Sequence, residues 1–444
     1  MPEGSIGGMA RASSDIFAAD FKDTPYWWEA APRSPAVPEA PPKVADVAIV
    51  GSGLTGLNAA IDLARAGRSV VVLDSEDLGH GASTRNAGCV GQTLKHSFRD
   101  LEKGYGTDYA IAVYREMKAA FDSVAERVEA EQIDCGFKVC GRLILTRAQR
   151  QYDDLAGELE ARQKHLGTEF SMIPKSAVRD EIASDLYGGG AIVPGLGSIH
   201  PGLYHKGLLD RARSAGVTLI GRTPVTGIAG DGNVFEVTTT QGTCRAREVL
   251  VATNGYTGAL LPWLRRRIIP FDAYMIATEP LDPSLMAQLL PTDRTYLDHV
   301  HDVITIRRSP DGTRILFLWR TGTRPSTARK KGAQLHADVT RIIPEVGKLK
   351  VTHSWTGRCA GTFNLWPHLL KRDGIHFAGG YCFAGLPMGT YLGRKAAQRI
   401  LGKPEARTIF ADRSFPLIPG HVGNPWFMPI VMRWYGLADR WQSR

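Results

Sequence analysis

One glycine-rich turn constrains this chain more than any other segment. Residues 51–56, Gly-Ser-Gly-Leu-Thr-Gly, follow an apolar stretch at 44–50 and precede residues 57–66, whose apolar positions repeat with helical spacing. A second apolar stretch at 69–73 ends in Asp74, 18 residues after the turn. The order strand, turn, helix, strand spans about 30 residues, which is the length of one mononucleotide-binding βαβ unit.

Each glycine of this turn has a separate physical task. Gly51 permits the tight turn, Gly53 lets the backbone approach a pyrophosphate, and Gly56 lets helix and strand pack closely. The helix that starts there offers N–H groups to phosphate oxygens, and Asp74 is placed to accept hydrogen bonds from a ribose hydroxyl. An ordinary glycine-rich turn is the alternative, but the common register of these features favours a dinucleotide site.

A second small and polar loop favours FAD over NAD. Residues 79–88, GHGASTRNAG, would continue along the far side of a long dinucleotide, with Ser83 and Thr84 near phosphate and Asn86 near the flavin ring. Residues 248–257, EVLVATNGYT, form a predicted strand that ends in small residues and would make a wall close to the cofactor. A surface turn is the alternative for the first of these segments.

Length and composition limit the remaining possibilities. A chain of 444 residues exceeds one compact core, so we expect two domains. A run of about 18 apolar residues is absent, the first 30 residues lack a secretory pattern, and six scattered cysteines include no CxxC pair. We therefore expect a cytoplasmic protein without a metal site. The net charge of +9 is dispersed, which favours a solvated surface suited to an anionic cofactor and predicts no nucleic-acid partner.

The rest of the chain contains helical and β-rich segments. The predicted helices are 108–131, 147–166, 333–344 and 390–401, and the predicted β segments are 137–145, 217–253, 271–320 and 376–378. A hairpin is predicted around Pro310-Asp311-Gly312 because these residues favour a tight turn.

Five segments resemble one family of flavoenzymes. They are GSGLTGLNAAIDLARAGRSVVVLD (51–74), GASTRNAG (81–88), REVLVATNGYT (247–257), WTGRCAGTFNLWPH (355–368) and GGYCFAGLPMGTYLGRKAA (379–397). In content and order they resemble the D-amino-acid oxidase / glycine oxidase / sarcosine oxidase superfamily, and most of all its γ-glutamylputrescine oxidase-like branch. The resemblance spans roughly residues 24 to 402.

The resemblance implies an α/β fold, with a discontinuous Rossmann-type FAD-binding domain plus an antiparallel β-sheet substrate domain. The predicted parts are an extended N-terminal arm (1–44), an FAD-binding domain (45–95, 195–270 and 350–405), a substrate domain (96–194 and 271–349) and a C-terminal tail (406–444). We expect Tyr26, Trp27 and Trp28 of the arm to pack on the body.

FAD is the predicted cofactor, and several separate segments of the chain would bind it. The resemblance places residues 385–388 against the pyrimidine end of the flavin ring, where a simple helix cap is the alternative. The predicted cofactor-binding residues are Gly51, Gly53, Leu54, Thr55, Gly56, Asp74, Ser75, Gly81, Ala82, Ser83, Thr84, Arg85, Asn86, Val225, Thr253, Asn254, Gly255, Cys359, Gly380, Gly385, Leu386, Pro387 and Met388.

Two positions in the resembling segments bear on the chemistry. Cys359 matches the cysteine that forms a thioether to the flavin 8α-methyl in the sarcosine branch, and a buried cysteine acting as a small apolar side chain is the alternative. Pro387 stands where that branch has a lysine for the substrate carboxylate. A plain α-amino acid bound in that way is therefore disfavoured. Arg320 is the nearest cation we propose for the reaction with oxygen.

The tail contains an amphipathic segment at residues 426–441. Its apolar residues Ile430, Trp434, Leu437 and Trp441 share one helix face. We favour packing of this helix on the body or across a homo-oligomer contact, because an amphipathic helix usually faces its own core. An interfacial membrane helix is the alternative.

The function implied by the resemblance is FAD-dependent oxidation of a C–N bond in an amine or amino acid, with a γ-glutamyl or secondary amine favoured. A hydride would pass from the α-carbon to flavin N5, and the imine would hydrolyse. His200, Tyr274 and Arg320 are the candidate catalytic residues. The electron acceptor would be O₂ or another molecule. The alternatives are an amine dehydrogenase that reduces a quinone or carrier, and a non-catalytic flavin subunit of a larger complex.

Overall fold

A computed structural model describes residues 15–300, 302–323, 326–417 and 419–442, the side chains of 439–442 excepted. The strands are β1 (Phe17–Lys22), β2 (Val44–Val50), β3 (Val70–Leu73), β4 (Cys89–Val90), β5 (Arg142–Thr146), β6 (Ser171–Pro174), β7 (Gly189–Val193), β8 (Gly197–Ser198), β9 (Thr218–Ile220), β10 (Val225–Gly230), β11 (Phe235–Thr239), β12 (Gly242–Val251), β13 (Ile269–Thr278), β14 (Thr295–Asp298), β15 (Ile304–Arg308), β16 (Ile315–Gly322), β17 (Val351–Gly361), β18 (His368–Arg372) and β19 (Ile375–Gly379).

The helices lie between and after these strands. They are α1 (Trp27–Ala30), α2 (Leu54–Arg65), α3 (Phe98–Tyr105), α4 (Thr107–Ala130), α5 (Gln149–Leu166), α6 (Pro201–Ser214), α7 (Pro262–Arg265), α8 (Pro283–Leu289), α9 (Ala328–Ile342), α10 (Gly385–Ile400) and α11 (Met428–Gln442).

The first sheet, which we call the parallel sheet, is built around β2. Its order is β10-β11-β12-β2-β3-β9, with β19 also on β12 and β18 on β19. β2 pairs in parallel with β3 and β12. Its apolar residues are buried on both faces, as is typical of a strand in a parallel sheet. Helices α2, α4 and α10 cover one face and share its core. The strand β2, the glycine turn, α2 and β3 therefore form the predicted βαβ unit.

The second sheet, which we call the antiparallel sheet, has the order β1-β17-β13-β16-β15-β14-β5-β7-β6. Its pairs are antiparallel except β1 with β17 and β14 with β5. Helix α9 covers one face, where Tyr274, Ile276 and Phe317 pack against Leu335 and Val339. The predicted hairpin joins β15 to β16. The two sheets confirm the predicted fold class.

The sheets group some segments differently from the predicted domain boundaries. β17, placed by prediction with the FAD-binding segments, pairs along its length with β13 in the antiparallel sheet. α4, placed with the substrate segments, buries Val113, Met117 and Ala120 in the core under the parallel sheet. The long apolar face of α4 packs against α10. This contact between distant segments determines the position of α4.

Two further expectations need correction. The strand predicted at 137–145 begins only at Arg142, because residues before it turn at Gly136 and Gly141, both with positive φ. The part of the predicted extended arm that the structure describes contains β1 and the short helix α1, and Trp27 is fully buried. The expected packing of the aromatic trio on the body is therefore observed for this tryptophan.

The predicted tail helix is present as α11, but its apolar face is not packed on the body. Trp426 is 59%, Ile430 63%, Trp434 60% and Leu437 64% exposed, so that part of the prediction is wrong for a single chain. The helix touches β16 through Met432, whose sulfur accepts from Thr321 Oγ1 at 3.8 Å. Trp441 lies outside the described side chains, and the homo-oligomer contact stays a prediction. No helix in the described part of the chain is both long and apolar enough to cross a membrane.

Candidate functional site

A cavity of about 580 Å³ lies where the two sheets approach each other. Its lining comes from the turn between β2 and α2, the end of β3, residues 79–87, residues 251–261, β17 and the start of α10, together with one face of the antiparallel sheet. This volume is in the range of cavities that bury a cofactor or a small ligand.

Hydrogen bonds to Asp74 fix the conformation of the glycine turn at one end of the cavity. Ser52 donates to Asp74 Oδ2 from its backbone N at 2.8 Å and from its Oγ at 2.6 Å. Asp74 Oδ1 accepts from Glu76 N at 3.1 Å. Gly51 adopts φ +109°, which only glycine adopts without strain. The turn therefore brings a carboxylate and a helix N-terminus to the same place.

The start of α2 is shaped to admit a ligand close to its backbone. Ser83 Oγ accepts from Leu54 N at 3.0 Å, and a Cβ added at Gly53 would lie 2.9 Å from the same oxygen. Both residues line the cavity, so any side chain at Gly53 would fill space beside the helix N-terminus. Backbone N–H groups and the helix dipole at such an end attract phosphate. The cradle fits the pyrophosphate of a dinucleotide.

The loop that follows β3 is pinned by tryptophans from distant segments. Trp27 Nε1 donates to Asn86 O at 2.9 Å, and Trp355 Nε1 donates to Arg85 O at 2.9 Å. The Arg85 guanidinium lies 4.6 Å from the centre of the Trp28 ring and donates to Thr356 O at 3.1 Å. These contacts fix the loop wall of the cavity on both sides.

The start of α10 forms the opposite wall. Cys382 and Phe383 have φ values of +48° and +76°, an unusual pair for residues with side chains. This strained turn aims the N-terminus of α10 at the cavity, where Gly385 and Leu386 line the wall. Tyr381 OH and Thr55 Oγ1, 2.6 Å apart, join this wall to α2. A helix N-terminus here favours electron-rich groups of a ligand.

Comparison with known proteins agrees with this geometry. A family model described as "FAD dependent oxidoreductase" matches residues 46–399. The chain belongs to the FAD dependent oxidoreductase family. "Probable oxidoreductase OrdL" of Rhizobium meliloti is 30% identical over 419 residues, which is 93% of this chain and 97% of that protein. "Gamma-glutamylputrescine oxidoreductase" of Escherichia coli is 29% identical over 411 residues, which is 89% of this chain and 93% of that protein.

A solved structure shares the fold. Glycine oxidase from Geobacillus kaustophilus superposes with a TM-score of 0.69 at 23% identity, over 85% of this chain and 99% of that chain. The match of the family model to residues 46–399 confirms the predicted family, and FAD is the cofactor of this FAD dependent oxidoreductase.

Most of the predicted cofactor residues line the cavity of this family member. Those in the lining are Gly51, Gly53, Leu54, Thr55, Asp74, Ser75, Gly81, Ala82, Ser83, Arg85, Asn86, Val225, Thr253, Asn254, Cys359, Gly385, Leu386 and Pro387. Their contacts with FAD stay predictions, because lining a cavity is a property of the protein alone.

Five other predicted residues lie behind the lining and support it. A Cβ at Gly56 would lie 2.0 Å from Gly51 O, and one at Gly255 would lie 2.4 Å from Cys359 O. Thr84 Oγ1 accepts from Trp28 Nε1 at 3.0 Å. The two remaining residues also face protein: Gly380 N donates to Asn254 Oδ1 at 2.9 Å, and Met388 is fully buried.

The three candidate catalytic residues do not line the cavity, and their catalytic roles stay predictions. His200 begins α6, where its Nδ1 accepts from Leu203 N at 3.1 Å and burial lowers its pKa to about 4. Tyr274 faces α9, because side chains alternate along β13 and its neighbours Ala273 and Met275 face the cavity.

Arg320 is also directed away from the cavity. It forms a two-pronged ion pair with Asp338 of α9, with Nε to Oδ2 and Nη2 to Oδ1 both at 2.6 Å. Its φ of +63° interrupts the alternation of side chains along β16. The Arg320 side chain therefore does not share the sheet face of Leu318. The sequence could not reveal this partner, because 18 residues separate the two side chains along the chain.

The structure adds charged and aromatic residues that the sequence did not single out. The charged or titratable additions to the lining are Glu76, His80, Cys89, Lys95, Arg142, Tyr256, Asp298, His299, Tyr381 and Cys382. A signal was available for Arg142, because it directly precedes the apolar residues 143–145 of a predicted strand. A charge within an apolar strand needs a charged or hydrogen-bonding partner when it is buried.

Cys359 lines the cavity from β17, and its attachment to the flavin stays a prediction. Burial, and secondarily the nearby Asp272, raise the pKa of its thiol to about 12. The thiol is therefore protonated near neutral pH. Among the described residues, no group of three His, Cys, Asp or Glu side chains is placed to hold a metal.

Proposed function

We propose that this protein oxidises the C–N bond of an amine or amino acid to an imine, which water then hydrolyses. FAD supplies the oxidising power by accepting two electrons from the substrate. The observation that carries the proposal is one cavity lined both by the dinucleotide turn and by a face of the antiparallel sheet. The cavity can thus hold a cofactor and a small substrate together.

Part of the antiparallel-sheet face that roofs this cavity is apolar. Ala273, Met275, Leu297, Val303 and Leu318 line it from neighbouring strands or the loop beside them. Apolar surroundings disfavour the charged form of an amine and so lower its pKa. The roof therefore favours the neutral amine, which is the form that can give up a hydride from its α-carbon. It also limits the access of water before the reaction.

Within this class we propose a γ-glutamyl or secondary amine in preference to a plain α-amino acid. Pro387 lies in the cavity wall at the position where the resembling branch has a carboxylate-binding lysine. A proline offers neither charge nor an N–H group to a carboxylate. The similarity to gamma-glutamylputrescine oxidoreductase over most of both chains supports the same choice.

Anaerobic stopped-flow spectroscopy of the FAD-loaded protein tests the proposal. We expect γ-glutamylputrescine or a secondary amine to bleach the flavin band faster than D-alanine or sarcosine. Putrescine serves as the matched amine without the glutamyl group. D-alanine or sarcosine as the best reductant would contradict the preferred substrate class, and no bleaching by any amine or amino acid would contradict the function itself.

A dehydrogenase that passes electrons to a quinone or carrier is the second candidate function. Arg320, the cation proposed for the reaction with oxygen, bonds to Asp338 outside the cavity. If the enzyme is a dehydrogenase, the amine-reduced protein will reduce a quinone analogue much faster than it consumes oxygen. An oxygen electrode and a dye-reduction assay on the same sample compare the two rates, and equal or faster oxygen consumption identifies an oxidase.

A further inference from the structure

A buried arginine reaches the cavity where β5 begins. Arg142 is 7% exposed and belongs to the cavity lining. Its Nε donates to Thr295 Oγ1 at 3.0 Å, and the pairing of β5 with β14 places these two residues opposite each other. This bond and a hydrogen bond with the Cys89 side chain orient the guanidinium, whose terminal nitrogens lie further along the side chain.

The absence of a side chain at Gly91 leaves space for this guanidinium. A Cβ added at Gly91 would lie 3.0 Å from Arg142 Nη1, which is a tight contact, and 3.7 Å from Nη2, which is ordinary van der Waals contact. Gly91 also lines the cavity. The terminal nitrogens therefore lie at the cavity wall against a residue without a side chain.

The charge of Arg142 is not neutralised by a carboxylate within ion-pair distance anywhere in ranges 15–300, 302–323, 326–417 and 419–442. Asp298 is the acidic residue of the lining on the paired strand β14, and its Oδ2 accepts from Arg147 Nε at 3.0 Å. That ion pair already balances the carboxylate. The region beside Arg142 consequently has a net positive charge.

A second arginine on the same face of the sheet reinforces this charge. Arg307 lies two residues after Thr305, which lines the cavity, and its Nη1 donates to Gly88 O at 2.9 Å and Ile199 O at 3.0 Å. Carbonyl oxygens satisfy its N–H groups but do not cancel its charge. Two guanidinium groups on one low-dielectric face attract an anion, because charge is poorly screened there.

We propose that Arg142 binds a carboxylate at the end of the substrate remote from the amine that is oxidised. This inference rests on the proposed amine oxidation. A guanidinium matches a carboxylate with two parallel hydrogen bonds, which a lysine cannot supply. The substrate class is then an amine with a terminal carboxylate, and Arg142 determines specificity for it without taking part in the chemistry.

Ligand titration of the FAD-loaded protein tests this without turnover. Glutarate and its neutral diamide, glutaramide, are titrated while the flavin absorption spectrum reports binding. We expect the wild type to bind glutarate the more tightly. Arg142→Met should weaken glutarate binding about 100-fold and leave glutaramide unchanged, which is the usual size of the effect of truncating a buried charge pair. Arg142→Lys should weaken glutarate binding less than Arg142→Met does, because lysine keeps the charge but lacks the two parallel N–H donors.

Arg115→Met is the matched control, because Arg115 is an exposed arginine of α4. It should bind glutarate as the wild type does. Flavin reduction by γ-glutamylputrescine and putrescine adds a second measurement, in which Arg142→Met should raise KM for the first amine alone and leave kcat unchanged.

The outcomes separate the two proposals. If no amine reduces the flavin, the proposed function fails, and the glutarate titration still decides the role of Arg142. Equal affinity of the wild type for glutarate and glutaramide overturns the inference, and this comparison needs no variant that must fold. Unchanged glutarate binding in Arg142→Met overturns it as well and leaves Arg142 as a structural contact of Thr295.

Discussion

The closest backbone contact of the dinucleotide turn gives the sharpest prediction. Gly56 lies in the first turn of α2 with its Cα facing the glycine turn, and a Cβ there would be 2.0 Å from Gly51 O and 3.2 Å from Ile49 Cγ2. Contacts of this kind are ordinary only from about 3.4 Å. In Gly56→Ala, α2 must therefore move away from β2 by more than about 1 Å, since the facing atom belongs to the backbone.

The cost of that movement follows from the packing of α2. The helix buries Leu57, Ile61 and Leu63 completely, so lifting it loosens the core beneath it as well as the turn. Overpacking of a rigid core costs about 1–3 kcal/mol and occasionally more. We expect Gly56→Ala to lower the free energy of unfolding by about 3 kcal/mol, which corresponds to roughly 6–12 °C in Tm for a domain of about 150–250 residues.

Differential scanning fluorimetry and the ratio of flavin to protein absorbance measure the two effects. Gly104→Ala is the control, because Gly104 lies on the exposed side of α3 with no atom within 4 Å of an added Cβ. That variant should gain up to about 1 kcal/mol, since alanine favours a helix. A Gly56→Ala protein with wild-type Tm and a full complement of FAD would refute the reasoning.

Three further variants or conditions probe other parts of the site. Gly53→Val should fold but lose FAD, because its side chain would occupy the cradle beside Ser83; retained flavin absorbance would contradict this. His205 Nε2 lies 2.7 Å from Ser52 O, and burial lowers its pKa to about 4. The folded state keeps the ring neutral, so stability falls as pH drops from about 6.5 towards 4, by about 2 kcal/mol at pH 5. The Tm of His205→Gln should consequently fall less steeply with decreasing pH than that of the wild type. Equal slopes of Tm against pH in the two proteins would contradict this role of His205. Acid precipitation should release all FAD, because a Cys359 thiol with a pKa of about 12 is a poor nucleophile; FAD mass on its peptide would show a tether.

Local patterns carried the prediction of the cofactor site. The turn at 51–56, Asp74 and the loop at 79–88 lie within about 40 residues of one another, and local rules of turn and helix geometry govern them. The start of α10 was recognised by its glycines in the same way. Each segment contributes its own backbone to the cavity lining. Its residues could therefore be predicted without knowing which other segments pack beside it.

The catalytic candidates lie outside the cavity lining, because their positions depend on side-chain direction. Tyr274 was assigned correctly to a strand, but only the partner helix α9 decides which face of that strand is core. Arg320 turned to Asp338, a residue of α9 that no local pattern connects with it. Periodicity identifies two faces of a strand and cannot tell which face meets a cavity when both are apolar.

The sequence by itself therefore determined the βαβ unit, the glycine cradle, the FAD-dependent family and the α/β class. Only the tertiary structure decided which strand faces roof the cavity, where Arg142 meets it, and that α4 packs beneath the parallel sheet. The physical reason is the range of the interactions. Turns, helix ends and backbone approach depend on residues a few positions apart, whereas burial, ion pairing and the direction of a side chain depend on segments joined by the packing of the whole chain.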